Sequence, residues 1–225
     1  MGKSGQAFRI LQNRYLADLS TSTAMELGAA LLWTADYRSA YQHFCGFMDR
    51  YPLHCDIIYG MAGVAKWCLN ERNEAVNYWQ EGLKCNYTDP SGVHIPLLLL
   101  FSSIIDSNLL SERDAVDIIV KYVNNPRACI WPGPLAELAL NQLTEDQVRA
   151  KSIHVNPDEA ERRRVDCDFY INLIKHGHDR RHSLANSMNA VSNLSWNDYT
   201  SSIHRFFGRL WQEEYYLARH YLVSL

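Results

Sequence analysis

The chain has 225 residues, 22 Lys+Arg against 25 Asp+Glu, a net charge of −3, 47% apolar residues and 12% aromatic ones. This composition excludes a disordered chain, and the lack of a basic excess argues against nucleic acid as a partner, because neutralising phosphates needs a cationic face. The six scattered cysteines contain no CxxC pair and do not form the framework of a small secreted domain, so they are expected as thiols, most of them buried like small apolar side chains.

Lys3, Arg9, Arg14 and Asp18 interrupt any apolar run near the start, which predicts no export signal and a cytoplasmic location. Gly2-Lys3-Ser4-Gly5 is only a fragment of a phosphate loop, without the preceding strand or upstream glycine that would build the cradle. Phe8, Leu11, Tyr15 and Leu16 have helical spacing, and Thr23 with Glu26 reads as the capping box of a second helix reaching Trp33. Asp36 should cap a third helix that ends near Arg50, before Pro52. Residues 54–69 carry Ile57, Ile58, Met61, Val64, Ala65 and Leu69 on a helical period, with Asn70 suited to the C-terminal cap and a partner helix over 71–84.

The turn Asp89-Pro90-Ser91-Gly92 closes that unit. A third hairpin follows, with Pro96 early in its first helix and Ser111 capping the second. Its stretch 95–105 is dense in apolar residues but about half the ~20 residues a bilayer requires, so it is expected as a core helix and no membrane association is expected. Asn125-Pro126 and Trp131-Pro132-Gly133-Pro134 forbid continuous helix over 124–134. A short helix over 135–140, a Thr144 and Gln147 capping box, and Asn156-Pro157 opening a helix to about Lys175 come next. Gly177 should end it, a helix over 179–192 should pair with it, and a long helix over 197–222 should close the chain. No run alternates as a strand does, so the fold is expected to be all-α in one domain spanning 1–225.

Ala40 and Ala75 stand 35 residues apart, each preceded by a small pair, Leu27-Gly28 and Ala62-Gly63, and followed by Phe44 or Trp79. The small residues let two helices approach closely, and such a period marks stacked helical hairpins. These residues, with Pro52 and Tyr59, resemble tetratricopeptide repeats over residues 24–86; Ala115 with Ile119 and Ala185 after Gly177 are weaker copies. Gly82 in place of the usual alanine, the missing proline after the second unit and a spacing of 40 from Ala75 to Ala115 depart from that pattern. The resemblance implies a TPR-like hairpin solenoid with an irregular C-terminal half, and a non-enzymatic scaffold that grips a protein partner in a groove. Trp131-Pro132-Gly133-Pro134 with Phe169-Tyr170 is similar to small bacterial TPR-like immunity proteins, which implies a toxin domain as that partner.

In the repeat frame, Met25, Leu32 and Trp33, and then Ile57, Val64 and Trp67, face the groove, with Asp56, Glu71 and Glu74 as nearby acidic groups. The competing expectation is that a terminal helix covers these positions. An assembly or adaptor protein of an envelope or secretion complex is the other class such a surface would serve. Cys167, His176, His178 and His182 are zinc-compatible in type but unlike a finger in spacing, so no metal or cofactor is assigned. Arg162-Arg163-Arg164 lies among Asp158, Glu159, Glu161, Asp166 and Asp168, so a salt-bridged outer face with Asp158–Arg162 and Glu159–Arg163 pairs is expected rather than an anion site. No nucleophile and base set with geometric support can be assembled, and an enzyme is not expected.

Overall fold

A computed structural model describes residues 3–176, except 87, 89 and 90, together with Tyr216, Leu217 and His220. Every regular element among the described residues is helical. The fold is all-α. Helix α1 (Lys3–Ala17) precedes three hairpins: α2 (Thr21–Trp33) with α3 (Tyr37–Arg50), α4 (Asp56–Cys68) with α5 (Arg72–Gly82), and α6 (His94–Ile105) with α7 (Glu112–Val123). A 3-10 turn (Pro126–Cys129) then leads to α8 (Gly133–Ala139), α9 (Glu145–Ser152) and α10 (Pro157–His176). The expected helices over 179–192 and 197–222, the degenerate repeat at Ala185, and His178 and His182 lie outside the described residues, as do Asp89 and Pro90 of the expected turn.

Each hairpin joins two helices of different character. The first helices are apolar all round: α2 is buried from Thr23 to Leu32, α4 from Ile58 to Cys68, and α6 from Ile95 to Ile104. The second helices are amphipathic and bury a single stripe, Ala40, Phe44, Phe47 and Met48 in α3 and Ala75, Val76, Trp79 and Gly82 in α5. First helices touch one another in order, α2 on α4 and α4 on α6, while α3 and α5 each pack both on their own partner and on the first helix of the next hairpin. Hairpin packing therefore holds, with the first helices inside.

The repeat is visible at atomic scale. A Cβ on Gly28 would fall 2.1 Å from Phe44 Cζ, and one on Gly63 would fall 2.2 Å from Trp79 Nε1. Both glycines thus admit an aromatic ring from the residue sixteen positions on, and the two pairs are offset by the repeat period. The turns repeat too. Ala35 and Asn70 both take the left-handed conformation, φ 60° and 63°. In each, two backbone bonds close a Schellman turn: Ala35 to Leu32 and Asp36 to Leu31, then Asn70 to Trp67 and Glu71 to Lys66. Asn70 caps α4 as its sequence suggests.

Local caps follow the sequence with one correction. Asp36 accepts from Ser39 N at 3.2 Å, Ser111 from Asp114 N at 3.1 Å, and Thr144 with Gln147 forms a complete capping box. Asn156 caps α10, whose first residue is Pro157. The expected Thr23–Glu26 box does not form. Ser20 caps α2 instead, Thr23 Oγ1 turns back to the carbonyls of Asp18 and Ser20, and the Glu26 carboxylate pairs with Arg14 of α1 at 3.0 Å.

Helix α6 is the core helix its composition implies. Its buried Ser102 and Ser103 hydroxyls each donate to a carbonyl three residues back at 2.8 Å, so two polar groups cost little inside an apolar segment. No helix among the described residues is long and apolar enough to cross a membrane. All six cysteines are free thiols; Cys55, Cys68, Cys85 and Cys167 are buried, Cys45 is half-buried and Cys129 is exposed.

Candidate functional site

The nine residues expected to bind a partner separate into an interior group and a rim. Leu32 and Val64 are fully buried, and Met25 and Trp67 nearly so. Trp67 stacks on Trp79 with centroids 5.6 Å apart and meets Phe101 edge-on at 5.0 Å, and Phe101 in turn reaches Phe169 of α10 at 5.8 Å. Trp67 therefore belongs to an aromatic spine joining α4, α5, α6 and α10. These four residues do not line an open groove. Trp33 and Ile57 are half-buried against the core, and only they and the acidic turn residues retain solvent access.

Asp56 is buried in the first turn of α4, at the opposite end of that helix from Glu71, where its charge helps to raise the thiol of Cys85 and the phenol of Tyr122. Burial is the larger cause in both, and it pushes Cys85 up to about 12. Asp56 is thus an interior charge, and an account of it as a surface contact is corrected.

Glu71 and Glu74 do meet, through a residue the sequence did not single out. Lys66 projects from the last turn of α4 with its Nζ 2.5 Å from Glu71 and 2.8 Å from Glu74, and 3.9 Å above the centre of the Tyr41 ring. The ammonium is buried, whereas the two carboxylate side chains keep 40% and 54% of their exposure. Tyr41 Oη lies 2.8 Å from Tyr78 Oη, and Tyr78 Oη lies 3.7 Å from Cys45 Sγ. A polar seam from α3, α4 and α5 thus runs across the junction of the first two hairpins. Arg72 adds a cation–π contact to the Trp67 ring at 5.1 Å.

Charge states in this seam are firm. Burial pulls the Lys66 ammonium down, but its hydrogen bonds to Glu71 and Glu74 outweigh that and hold it above the ordinary lysine range. Burial, then the bonds with Tyr41 and Cys45, pushes the Tyr78 phenol well up; burial likewise raises Tyr41. Near neutral pH the lysine is a cation and both phenols are protonated, so none of the three is poised as a base or nucleophile. The arrangement can present fixed carboxylates and hydroxyls to another surface.

The α10 face behaves as its charge pattern implies. Glu159 pairs with Arg163 at 2.9 Å and Arg162 at 2.8 Å, Arg164 with Glu161 at 2.7 Å, and Arg149 with Asp168 at 2.7 Å. The Asp158 side chain lies outside the described residues. Asp166 has turned inward, where it accepts from Trp131 Nε1 at 2.8 Å. Among the described residues no group of three or more His, Cys, Asp or Glu could hold a metal ion; Cys167 is buried with its thiol pushed up to about 11, while His178 and His182 are outside that set.

Lys66, Tyr41 and Tyr78 were missed because their meeting is tertiary. The one signal was spacing: Lys66 precedes Glu71 across a tight turn, and the two tyrosines sit near repeat-equivalent positions of successive second helices. Comparison of the chain with protein-family models, with curated proteins and with solved structures finds no match.

Proposed function

We propose that this chain is a non-enzymatic protein-binding scaffold, and specifically an immunity-type inhibitor that neutralises a toxin partner by covering its active site. The observation that carries the reading is the rim at the α4–α5 turn, where Glu71 and Glu74 stand partly exposed yet are tied to a buried ammonium. Carboxylates fixed in this way are preorganised, so less side-chain entropy is lost when a basic surface docks on them. Half-buried Trp33, Tyr41 and Tyr78 supply aromatic contact area to the same reading. The residues resembling immunity proteins add the toxin as the class of partner.

Capture of a partner by the full chain, followed by mass spectrometry, tests this. Lys66→Met combined with Glu71→Ala and Glu74→Ala, which avoids stranding a buried charge, is expected to weaken capture at least about tenfold relative to the unchanged chain through lost charge complementarity. Retention undiminished by the triple change would remove the rim from the interface. A partner with toxin activity, encoded beside this chain and silenced by it, is the specific expectation; a multi-subunit envelope or secretion assembly in its place indicates an adaptor.

A further inference from the structure

The face of α2 and α4 that the repeat frame assigns to a ligand carries two residues from the far end of the chain. Tyr216 and Leu217 are 1% and 0% exposed. Tyr216 Oη donates to the Ala29 carbonyl of α2 at 3.1 Å, and Cys68 Sγ of α4 donates to the Tyr216 carbonyl at 3.9 Å. At the rim, His220 Nε2 lies 3.3 Å from Asn70 Oδ1, in the turn that carries Glu71. The two residues that hold Tyr216 on that face, Ala29 and Cys68, are small and buried.

We propose that Tyr216 and Leu217 act as a tethered ligand, and that a partner segment presenting the same pair, a phenol beside a branched aliphatic side chain, takes their place on α2 and α4. The proposal rests on the protein-binding reading above and names the chemistry of the segment bound. Among the bonds that hold the tether are ones to a backbone carbonyl, a thiol and a neutral amide, groups that another peptide with a hydroxyl can also satisfy. A partner must outcompete a segment carried on the same chain, which binds as an intramolecular competitor. The exchange would put the new segment next to Glu71 and Glu74, so one binding event could use both face and rim.

The probe is a fluorescent peptide with the sequence of residues 209–225, added to the full chain. A Tyr216→Ala, Leu217→Ala chain should bind it at least about tenfold more tightly than the unchanged chain, because the internal competitor is gone. A peptide carrying the same two alanines should fail to compete. Equal affinity for both chains, or no binding to a double variant that still melts cooperatively, overturns the proposal. If the double variant loses cooperative melting, Tyr216→Phe replaces it: removing the bond to Ala29 should raise peptide affinity about threefold, and an unchanged affinity overturns the proposal. No partner enters this assay, so it and the capture experiment can fail independently.

Discussion

The first two hairpins and the third solve the same packing problem differently. In α2/α3 and α4/α5 a glycine on the inner helix receives an aromatic ring from the outer one, Phe44 or Trp79, and the spacing between copies is fixed. In α6/α7 the inner helix is a run of buried leucines and the outer helix buries only Ala115 and Ile119. Ile119 nevertheless follows its alanine by four residues as Phe44 and Trp79 do, and Ser103, whose hydroxyl donates to the Leu100 carbonyl, stands sixteen positions before it where the other hairpins have glycine. Spacing inside each hairpin is thus kept when serine replaces glycine, and the interval from Ala75 to Ala115 reaches 40 because the connection from α5 to α6 is longer than that from α3 to α4.

The largest effect should come from the spine that joins the two regimes. Trp67→Ala is expected to cost roughly 3 to 5 kcal/mol, measured by denaturant unfolding, since it opens a cavity among Trp79 and Phe101. A loss under about 1 kcal/mol would mean that Trp67 is not part of the core contact between the hairpins.

Next come the glycines. Gly28→Ala and Gly63→Ala should each cost about 1 to 3 kcal/mol through overpacking, and each should be relieved by shrinking its own ring, Phe44→Leu for the first and Trp79→Leu for the second. Double-mutant cycles read this directly. Coupling within each pair and none between Gly28 and Trp79 would sharpen the comparison; equal coupling in all four combinations would break it.

The turns give a smaller, opposite-signed pair. Ala35 holds φ 60° with a side chain that disfavours it, whereas Asn70 tolerates φ 63°. Ala35→Gly should therefore stabilise by roughly 0.5 to 1 kcal/mol and Asn70→Ala should destabilise by a similar amount, both visible as shifts of the thermal midpoint.

The smallest effect is electrostatic. Partial burial pushes the Glu159 carboxyl up, but hydrogen bonds from Arg162 and Arg163 outweigh it and hold the pKa at about 2. Because the folded value lies below the ordinary glutamate value of 4.5, this contribution is present above that pH and is lost as the pH falls toward about 2. Glu159→Gln should flatten that part of the stability profile, modestly, because solvent reaches these groups and screens them. An unchanged profile would mean that the pairs on α10 contribute nothing net.

Much of the fold was legible because its signals are local. Caps at Asp36, Ser111, Thr144 and Asn156 depend on side chains reaching amides three positions away, which spacing alone reveals. Thr23 misled because Ser20 offers the same chemistry three residues earlier, and Arg14 of the preceding helix draws off Glu26. The binding face was harder. Periodicity says that Met25, Leu32, Val64 and Trp67 fall on inner helices, but whether that face is open depends on what lies over it. Trp67 reaches α10 through Phe101, Tyr216 bonds to Ala29 and Cys68 on that face, and no pattern within a hairpin encodes a contact between Tyr216 and Ala29 across 187 positions. Lys66 was invisible for the same reason, since its choice of Tyr41, Glu71 and Glu74 is made by the junction of two hairpins.

The Schellman turns that end α2 and α4 have a consequence for how such a chain lengthens. Residues 36–70 begin with an acid that opens an outer helix and end with a left-handed residue that closes an inner one. A tandem duplicate of that segment would offer the first Gly63 a second Phe44 and leave the second Gly63 with the existing Trp79, so the one new pairing would again set a ring against a glycine. Growth by whole hairpins would reuse one kind of glycine-and-ring contact at each added junction.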